Sequence, residues 1–122
     1  METDKKLLGR WGEEQAAAYL RSKGWKIIGM NYSTRFGEID VIAEDRQYVA
    51  FVEVKLRKSD RFAAAREFVT QKKQDRLRLA AEGWLMINRT KKQPRFDVIE
   101  VYAPQGRDTA QPVIEHFENA FM

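Results

Sequence analysis

The fold of this chain is decided by two apolar runs, GEIDVIA (37–43) and VAFVEVK (49–55), which are separated by the short polar turn EDRQ (44–47). Both runs are rich in Val, Ile and Phe, the residue types that favour strands, so the segment predicts a β-hairpin. A symmetric hairpin pairs Glu44 with Val49.

Acidic residues interrupt both predicted strands, where an unpaired charge is costly. The symmetric register sets Asp40 opposite Glu53, and side-chain alternation places Lys55 on the same face. Opposed like charges destabilise a sheet unless a cation lies between them. Lys55 is one candidate cation, and a divalent metal with its preference for oxygen ligands is the other. The alternative is a surface face on which Lys55 neutralises Glu38, Asp40 and Glu53.

Length and composition indicate one domain over residues 1–122, because a chain of 122 residues with 43% hydrophobic content can bury a real core. We find no run long enough for a membrane helix and no signal-peptide pattern at the N-terminus. The chain has no cysteine, which excludes disulfides and thiolate zinc sites. The expected compartment is the cytoplasm. The single histidine, His116, is expected to pack or hydrogen-bond near the C-terminus.

Charge is unevenly distributed along the chain. Residues 55–95 contain 13 Lys and Arg against 4 Asp and Glu, a net charge of +9, whereas the whole chain carries +4. A local basic excess of this kind suits a polyanion such as nucleic acid, and the alternative is a solvated helix face and loop.

The hydrophobic pattern predicts the element order α-β-β-β-α-β, a mixed sheet flanked by helices. A last edge strand could follow at 113–117. The predicted elements are a helix over 4–23, strands over 25–32 and within 37–56, a basic loop over 57–66, a helix over 70–87 and a strand over 95–102.

Two adjacent glutamates of the first helix are not equivalent. Helical phase places Glu13 at the edge of the apolar stripe, where it can reach the sheet, and Glu14 on the outward face with Arg10 and Arg21. Glu13 is therefore the candidate third carboxylate. An ordinary salt bridge at the edge of the stripe is the alternative.

A set of segments spread over about residues 9–121 carries a family resemblance. The segments are GRWGEEQAAAYL (9–20), GEIDVIA (37–43), FVEVKLR (51–57), the Lys73-Gln74 region, RFDVIEV (95–101) and IEHFENAF (114–121). Together they resemble the YraN-like family, a group of small bacterial proteins of undetermined function. The family is assigned to the restriction-endonuclease-like, PD-(D/E)XK superfamily, so the resemblance implies that fold.

The resemblance also implies site residues. The metal-binding acids of the superfamily fall on Asp40 and Glu53, and its motif lysine falls on Lys55. The glutamate that resembles the one in archaeal Holliday-junction resolvases falls on Glu13, and a helix glutamine falls on Gln71 or on Gln74. By this resemblance Asp40 and Glu53 would hold Mg²⁺ or Mn²⁺, and Lys55 would position or activate the water that attacks a phosphodiester. Basic residues beyond the hairpin would bind phosphates. The basic residues are Arg57, Lys58, Arg61, Lys72, Lys73 and Arg76.

Three functions follow as hypotheses. The first is a metal-dependent endonuclease acting on DNA, with branched or structured DNA as one substrate class. The second is a nucleic-acid-binding module with the nuclease fold and no turnover, and the third is a protein-interaction subunit. The sequence leaves open the choice between DNA and RNA and the oligomeric state, for which a homodimer is one option.

Overall fold

The structure, a computed structural model, describes residues 4–58 and 69–121. The described residues form two α-helices, five strands and a short 3₁₀ helix, in an order that begins with the predicted α-β-β-β-α-β. The elements are α1 (Asp4–Ser22), β1 (Lys26–Thr34), β2 (Gly37–Glu44), β3 (Tyr48–Arg57), α2 (Gln71–Asn88), β4 (Gln93–Tyr102), the 3₁₀ helix (Gly106–Asp108) and β5 (Val113–Phe121).

All five strands form one mixed sheet with the spatial order β1-β2-β3-β4-β5. The pairs are antiparallel except for β3 with β4, which are parallel and lie on either side of α2 in the chain. The predicted hairpin register is confirmed, because Glu44 pairs with Val49 and the ladder continues to Val41 with Val52. This architecture is the mixed α/β core that the restriction-endonuclease-like resemblance implied.

Within residues 4–58 and 69–121, one α-helix covers each face of the sheet. The buried stripe of α1 includes Gly12, Ala16 and Leu20, and a Cβ at Gly12 would lie only 3.2 Å from Leu56 Cδ1. Gly12 therefore lets the helix lie close to β3. The stripe of α2 includes Leu77 and Trp84, which pack on the opposite face.

Helix α2 begins at a defined N-cap. Thr70 has extended backbone angles, and its side chain accepts a hydrogen bond from the backbone N–H of Lys73 at 3.2 Å. The first turn contains no acidic residue, so no side chain of that turn offsets the positive end of the helix dipole. The helix N-terminus therefore adds to the positive potential of Lys72 and Lys73.

The alternation of side chains breaks at matching places in β1 and β2, in addition to the register shift of β1 between Ile27 and Gly29. Met30 and Val41 pack with the α1-side core, whereas Tyr32 and Ile39, which lie two residues away in their respective strands, pack with the α2-side core. Residues two apart in a regular strand share a face. Both strands therefore switch faces at the positions between these residues.

Candidate metal and phosphate site

Asn31 in β1 and Asp40 in β2 lie between the residues whose side chains point to opposite faces of the sheet. Asn31 has a φ of 52°, in the left-handed region that non-glycine residues seldom adopt. Asp40 lies where the β2–β3 ladder has just ended, and its Oδ2 accepts a hydrogen bond from the backbone N–H of Val54 at 2.8 Å. The strands therefore separate at Asp40, so the pairing of Asp40 with Glu53 that we expected is not formed, although the two residues remain close enough to interact.

Three carboxylates, one from α1 and two from β2, meet at the gap where β2 and β3 stop pairing beside Asp40. Single carboxylate oxygens of Glu13, Glu38 and Asp40 all lie within 4.8 Å of one another. Glu13 also interacts by side-chain hydrogen bonds with Asn31 and Asp40, yet its Oε1 is buried with no partner among the described residues. The prediction that Glu13 reaches the sheet is confirmed, and Glu14 is exposed as expected.

Glu53 lies on the other side of the gap and contacts two lysines. Its Oε1 is 2.5 Å from Lys73 Nζ and 3.5 Å from Lys55 Nζ. Glu53 is only 5% exposed, so the pairing compensates the cost of its burial. We expected Lys55 or a metal as the cation, and the cation nearest to Glu53 is instead Lys73 from α2.

Crowding of acids changes the proton affinity of the cluster. Burial, followed by the charge of Glu53, raises the pKa of Asp40 to about 8, and the hydrogen bond from Val54 offsets only part of this effect. Burial likewise raises the pKa of Glu13, with further contributions from Glu38 and Glu53. The cluster therefore retains a proton at neutral pH when no cation is bound.

The two lysines are affected in opposite directions. Burial, followed by the neighbouring Lys73, lowers the pKa of Lys55. Burial alone would lower the pKa of Lys73 too, but the hydrogen bond and charge attraction from Glu53 outweigh it, so that pKa is raised. Lys73 therefore carries the firmly held positive charge, and Lys55 is the lysine that more readily gives up a proton.

A cavity of about 460 Å³ opens between β2 and the first turns of α2. Glu38, Asp40 and Glu53 form its acidic side, and α2 provides its basic side. The basic lining residues are Lys72, Lys73 and Arg76. This cavity therefore combines oxygen ligands suited to a divalent cation with cations and a helix N-terminus suited to a phosphate.

The structure brings some predicted site residues together and places others elsewhere. Gln71 is exposed and donates to Asp75 Oδ1 at 2.9 Å, and the alternative Gln74 donates to the Val69 carbonyl oxygen at 2.9 Å. Neither glutamine lines the cavity, because each bonds within or just before α2.

The predicted phosphate-binding residues also divide. Arg57 Nε donates to the buried Glu100 at 3.2 Å, and Lys58 is exposed just beyond β3. Neither of these two residues lines the cavity. Arg61 and most of the predicted loop over 57–66 lie outside the described residues.

Two residues of this site, Glu38 and Asn31, were not predicted from the sequence. We expected Glu38 only on a solvated face, and we expected no role for Asn31. The signal available for Glu38 was its position two residues before Asp40 in the same strand. That signal alone could not reveal the left-handed Asn31, because any residue in a predicted strand is expected to be extended.

A second buried acidic group serves as an internal reference. Asp97 is fully buried and accepts hydrogen bonds from Arg95 at both oxygens, at 2.9 and 2.7 Å. Its Oδ1 also accepts from the backbone N–H of Asn119 at 3.0 Å, and Oδ2 lies 2.6 Å from His116 Nε2. The expectation that His116 packs or hydrogen-bonds near the C-terminus is confirmed.

Comparison with known sequences shows where the chain belongs. The model of the Uncharacterised protein family UPF0102 matches residues 12–101, most of the chain. The chain belongs to this family. The YraN-like resemblance inferred from the motifs is thereby confirmed, and the family description names no activity.

The relatives in UPF0102 match over nearly their full lengths. The chain is 43% identical to a UPF0102 protein of Pelotomaculum thermopropionicum, with 99% of this chain and 100% of the relative covered. It is 42% identical to one from Syntrophomonas wolfei, with 93% and 96% covered. It is 43% identical to one from Nocardia farcinica, with 97% and 91% covered.

Neither of the helices described over residues 4–58 and 69–121 is long and apolar enough to cross a membrane.

The residues of the gap fit a hard divalent cation. The available side-chain ligands are carboxylate oxygens, the type that Mg²⁺ and Mn²⁺ accept. The unpartnered buried Oε1 of Glu13 and the raised pKa of Asp40 both show a shortage of positive charge beside these oxygens. A cation held there would relieve both.

Proposed function

We propose that this protein is a divalent-metal-dependent endonuclease that hydrolyses phosphodiester bonds in DNA, with the cytoplasm as its expected compartment. The observation that carries the proposal is the under-compensated carboxylate cluster of Glu13, Glu38 and Asp40, which adjoins the basic cavity beneath α2. Acidic oxygens and phosphate-binding cations side by side are the requirements of metal-assisted phosphodiester hydrolysis.

Asp40 is the residue best suited to hold Mg²⁺ or Mn²⁺, with Glu13 and Glu53 as further carboxylates of the same site. A bound ion of this type supplies an acidified water and offsets negative charge on the phosphate. Glu38, which is exposed at the boundary of the cavity, can add an oxygen directly or through water.

Basic residues of the cavity would hold the DNA backbone. Lys72 and Arg76 are exposed on α2 and would bind phosphates without reading bases. Lys55 would have a separate role: it would position or activate the attacking water and stabilise the transition state. Its pKa is lowered, mainly by burial, which favours the activating part of this role. Lys73 is already paired with Glu53, so it would hold that carboxylate in position as well as face the phosphate.

The test is a cleavage screen. Flap, four-way junction, single-stranded and duplex DNA would be incubated with wild-type protein and Mg²⁺ or Mn²⁺. We expect cleavage of at least one substrate, lost in Asp40→Asn and in Lys55→Ala. Binding of that substrate should largely survive Lys55→Ala, because this lysine acts in the chemical step.

Asp45→Asn is the matched control. Asp45 lies in the turn of the same hairpin and accepts hydrogen bonds from the backbone N–H groups of Gln47 and Tyr48, which an asparagine oxygen can also accept. The control should cleave like wild type. Cleavage that persists in Asp40→Asn at the wild-type rate would contradict the proposal.

One observation favours a second candidate, a nucleic-acid-binding module without turnover. Glu53 is already neutralised by Lys73 and Lys55, so one of the implied metal ligands has cations of its own. Salt-dependent DNA binding with no cleavage of any substrate by either ion would support this candidate over the nuclease.

A further inference from the structure

A second cavity lies on the α1 side of the carboxylate cluster. Its volume is about 440 Å³, and it shares Glu38 with the cavity beneath α2. Glu13 also lines it. The carboxylates therefore lie between two cavities, one bordered by α2 and the other by the first half of α1.

The α1 cavity has its own pair of cations, Lys6 and Arg10. The two residues are four positions apart, and Arg10 is three before Glu13, so all three lie along one side of the helix. Arg10 is exposed, as we expected for the outward face that it shares with Glu14, and it also lines this cavity. Lys6 and Arg10 are both exposed residues.

Basic residues therefore flank the carboxylates on both sides. Lys72 and Arg76 line the α2 cavity, and Lys6 and Arg10 line the α1 cavity. A site that acted only on a terminal phosphate would need cations on only one side of its carboxylates. Cations on both sides suit a polyanion that continues past the acids in both directions.

We propose that Lys6 and Arg10 form a second phosphate-binding arm, so that one DNA strand crosses the carboxylate cluster with backbone phosphates held on both sides. This inference rests on the proposed function and deepens it. The substrate class it specifies is a strand with phosphates on both flanks of the reacting bond, which is internal rather than terminal DNA.

The first test measures how binding depends on salt. Fluorescence anisotropy with labelled single-stranded DNA, in EDTA so that cleavage cannot occur, gives log affinity against log salt concentration. Each phosphate contact on a single strand contributes a slope of about −0.7. Lys6→Ala/Arg10→Ala should flatten the slope by up to about 1.4, Lys72→Ala/Arg76→Ala by a similar amount, and the fourfold variant by the sum.

Lys5→Ala/Arg21→Ala is the matched control. Lys5 and Arg21 are exposed on the same helix and line neither cavity, and the double substitution removes the same charge. It should leave the slope nearly unchanged. An effect of Lys6→Ala/Arg10→Ala no larger than this control, beside a clear effect of Lys72→Ala/Arg76→Ala, would overturn the second arm and leave the proposed function standing. Wild-type protein that binds no DNA at low salt would overturn both.

A second measurement tests whether the arms lie on opposite sides of the carboxylates. Affinity for a series of single strands of increasing length should rise until a strand reaches both arms. Each double variant, with one arm removed, should stop gaining affinity at a shorter length than wild type. If wild type and both variants reach their plateau at the same length, the arms hold the same phosphates and the two-sided path is wrong.

Discussion

Two aspartates on the strands that flank β3, the fully buried Asp97 and the half-buried Asp40, have opposite surroundings. Asp97 on β4 accepts hydrogen bonds from Arg95, His116 and the backbone of Asn119. Burial would raise its pKa, but the hydrogen bonds from His116 and Arg95 outweigh burial, so the pKa is lowered. Asp40 on β2 has the backbone N–H of Val54 as donor and faces other carboxylates, and its pKa is raised to about 8.

This difference in surroundings shows that Asp97 has a structural role, whereas Asp40 is available to bind a ligand. Folding supplies Asp97 with the donors and cations that a buried carboxylate needs. Asp40 and Glu13 are less well compensated, since burial and neighbouring carboxylates raise the pKa values of both groups. A proton or a bound cation can supply the positive charge that these two groups need. Carboxylates that lie close together without enough positive charge from the folded chain indicate a site for a ligand.

The largest expected effect is on stability when the compensated acid is removed. Asp97→Asn leaves Arg95, whose side chain is only 12% exposed, without its buried partner. Breaking a buried ion pair costs about 3–5 kcal/mol, and we expect about 3 kcal/mol here because asparagine keeps one acceptor. Urea denaturation measures this loss.

The control for that change uses the other acidic partner of Arg95. Glu118 has a side chain that is 64% exposed, and an exposed pair contributes only about 0–1 kcal/mol. Glu118→Gln should therefore have little effect. Equal losses in the two variants would show that Asp97 is not the structural acid described above.

A smaller and opposite effect is expected at Asp40. The folded pKa of about 8 lies above the ordinary value, so the folded chain holds a proton that the unfolded chain loses near pH 4. The stability of the wild type should therefore fall relative to Asp40→Asn as pH rises from 6 to 9, by on the order of 2 kcal/mol without metal.

Parallel thermal and urea denaturation of the two proteins across this pH range measures the divergence. Adding Mn²⁺ at pH 9 should restore the wild type and not the variant. A stability difference that stays constant with pH would show that Asp40 is as well compensated as Asp97.

The smallest expected effect distinguishes the adjacent glutamates of α1. Glu13 faces Asp40 and Glu14 faces water. Glu13→Gln should weaken Mn²⁺ binding about tenfold, which lowers metal-induced stabilisation by about 1.4 kcal/mol, whereas Glu14→Gln should leave it unchanged. A larger effect from Glu14→Gln would remove Glu13 from the site.

Local sequence patterns predicted the elements of the fold well. The polar turn after Glu44 and the apolar runs on either side are enough to determine the hairpin register, and helical phase is enough to separate Glu13 from Glu14. Strand β5 extends beyond the predicted 113–117, since its polar residues carry little strand signal. The left-handed backbone conformation of Asn119, with a φ of 48°, could not be predicted from a strand pattern either.

The arrangement of the site was less predictable, because it depends on packing between distant elements. The sequence indicated Asp40, Glu53 and Lys55 through alternation on two adjacent strands. The approach of Lys73 to Glu53 depends on how α2 packs over β3. The left-handed backbone of Asn31, which lies beside Asp40 at the face switch, could not be predicted from any pattern in the hairpin.

The most direct test of the account is a calorimetric titration of Mn²⁺ into wild-type protein, Asp40→Asn and the control Asp45→Asn. We expect the wild type and Asp45→Asn each to bind one Mn²⁺ ion per chain. The Mn²⁺ affinity of Asp40→Asn should be at least about tenfold weaker, a difference in binding free energy of about 1.4 kcal/mol. No binding by the wild type, or equal affinity in all three proteins, would contradict the claim that the Asp40 cluster is a cation site.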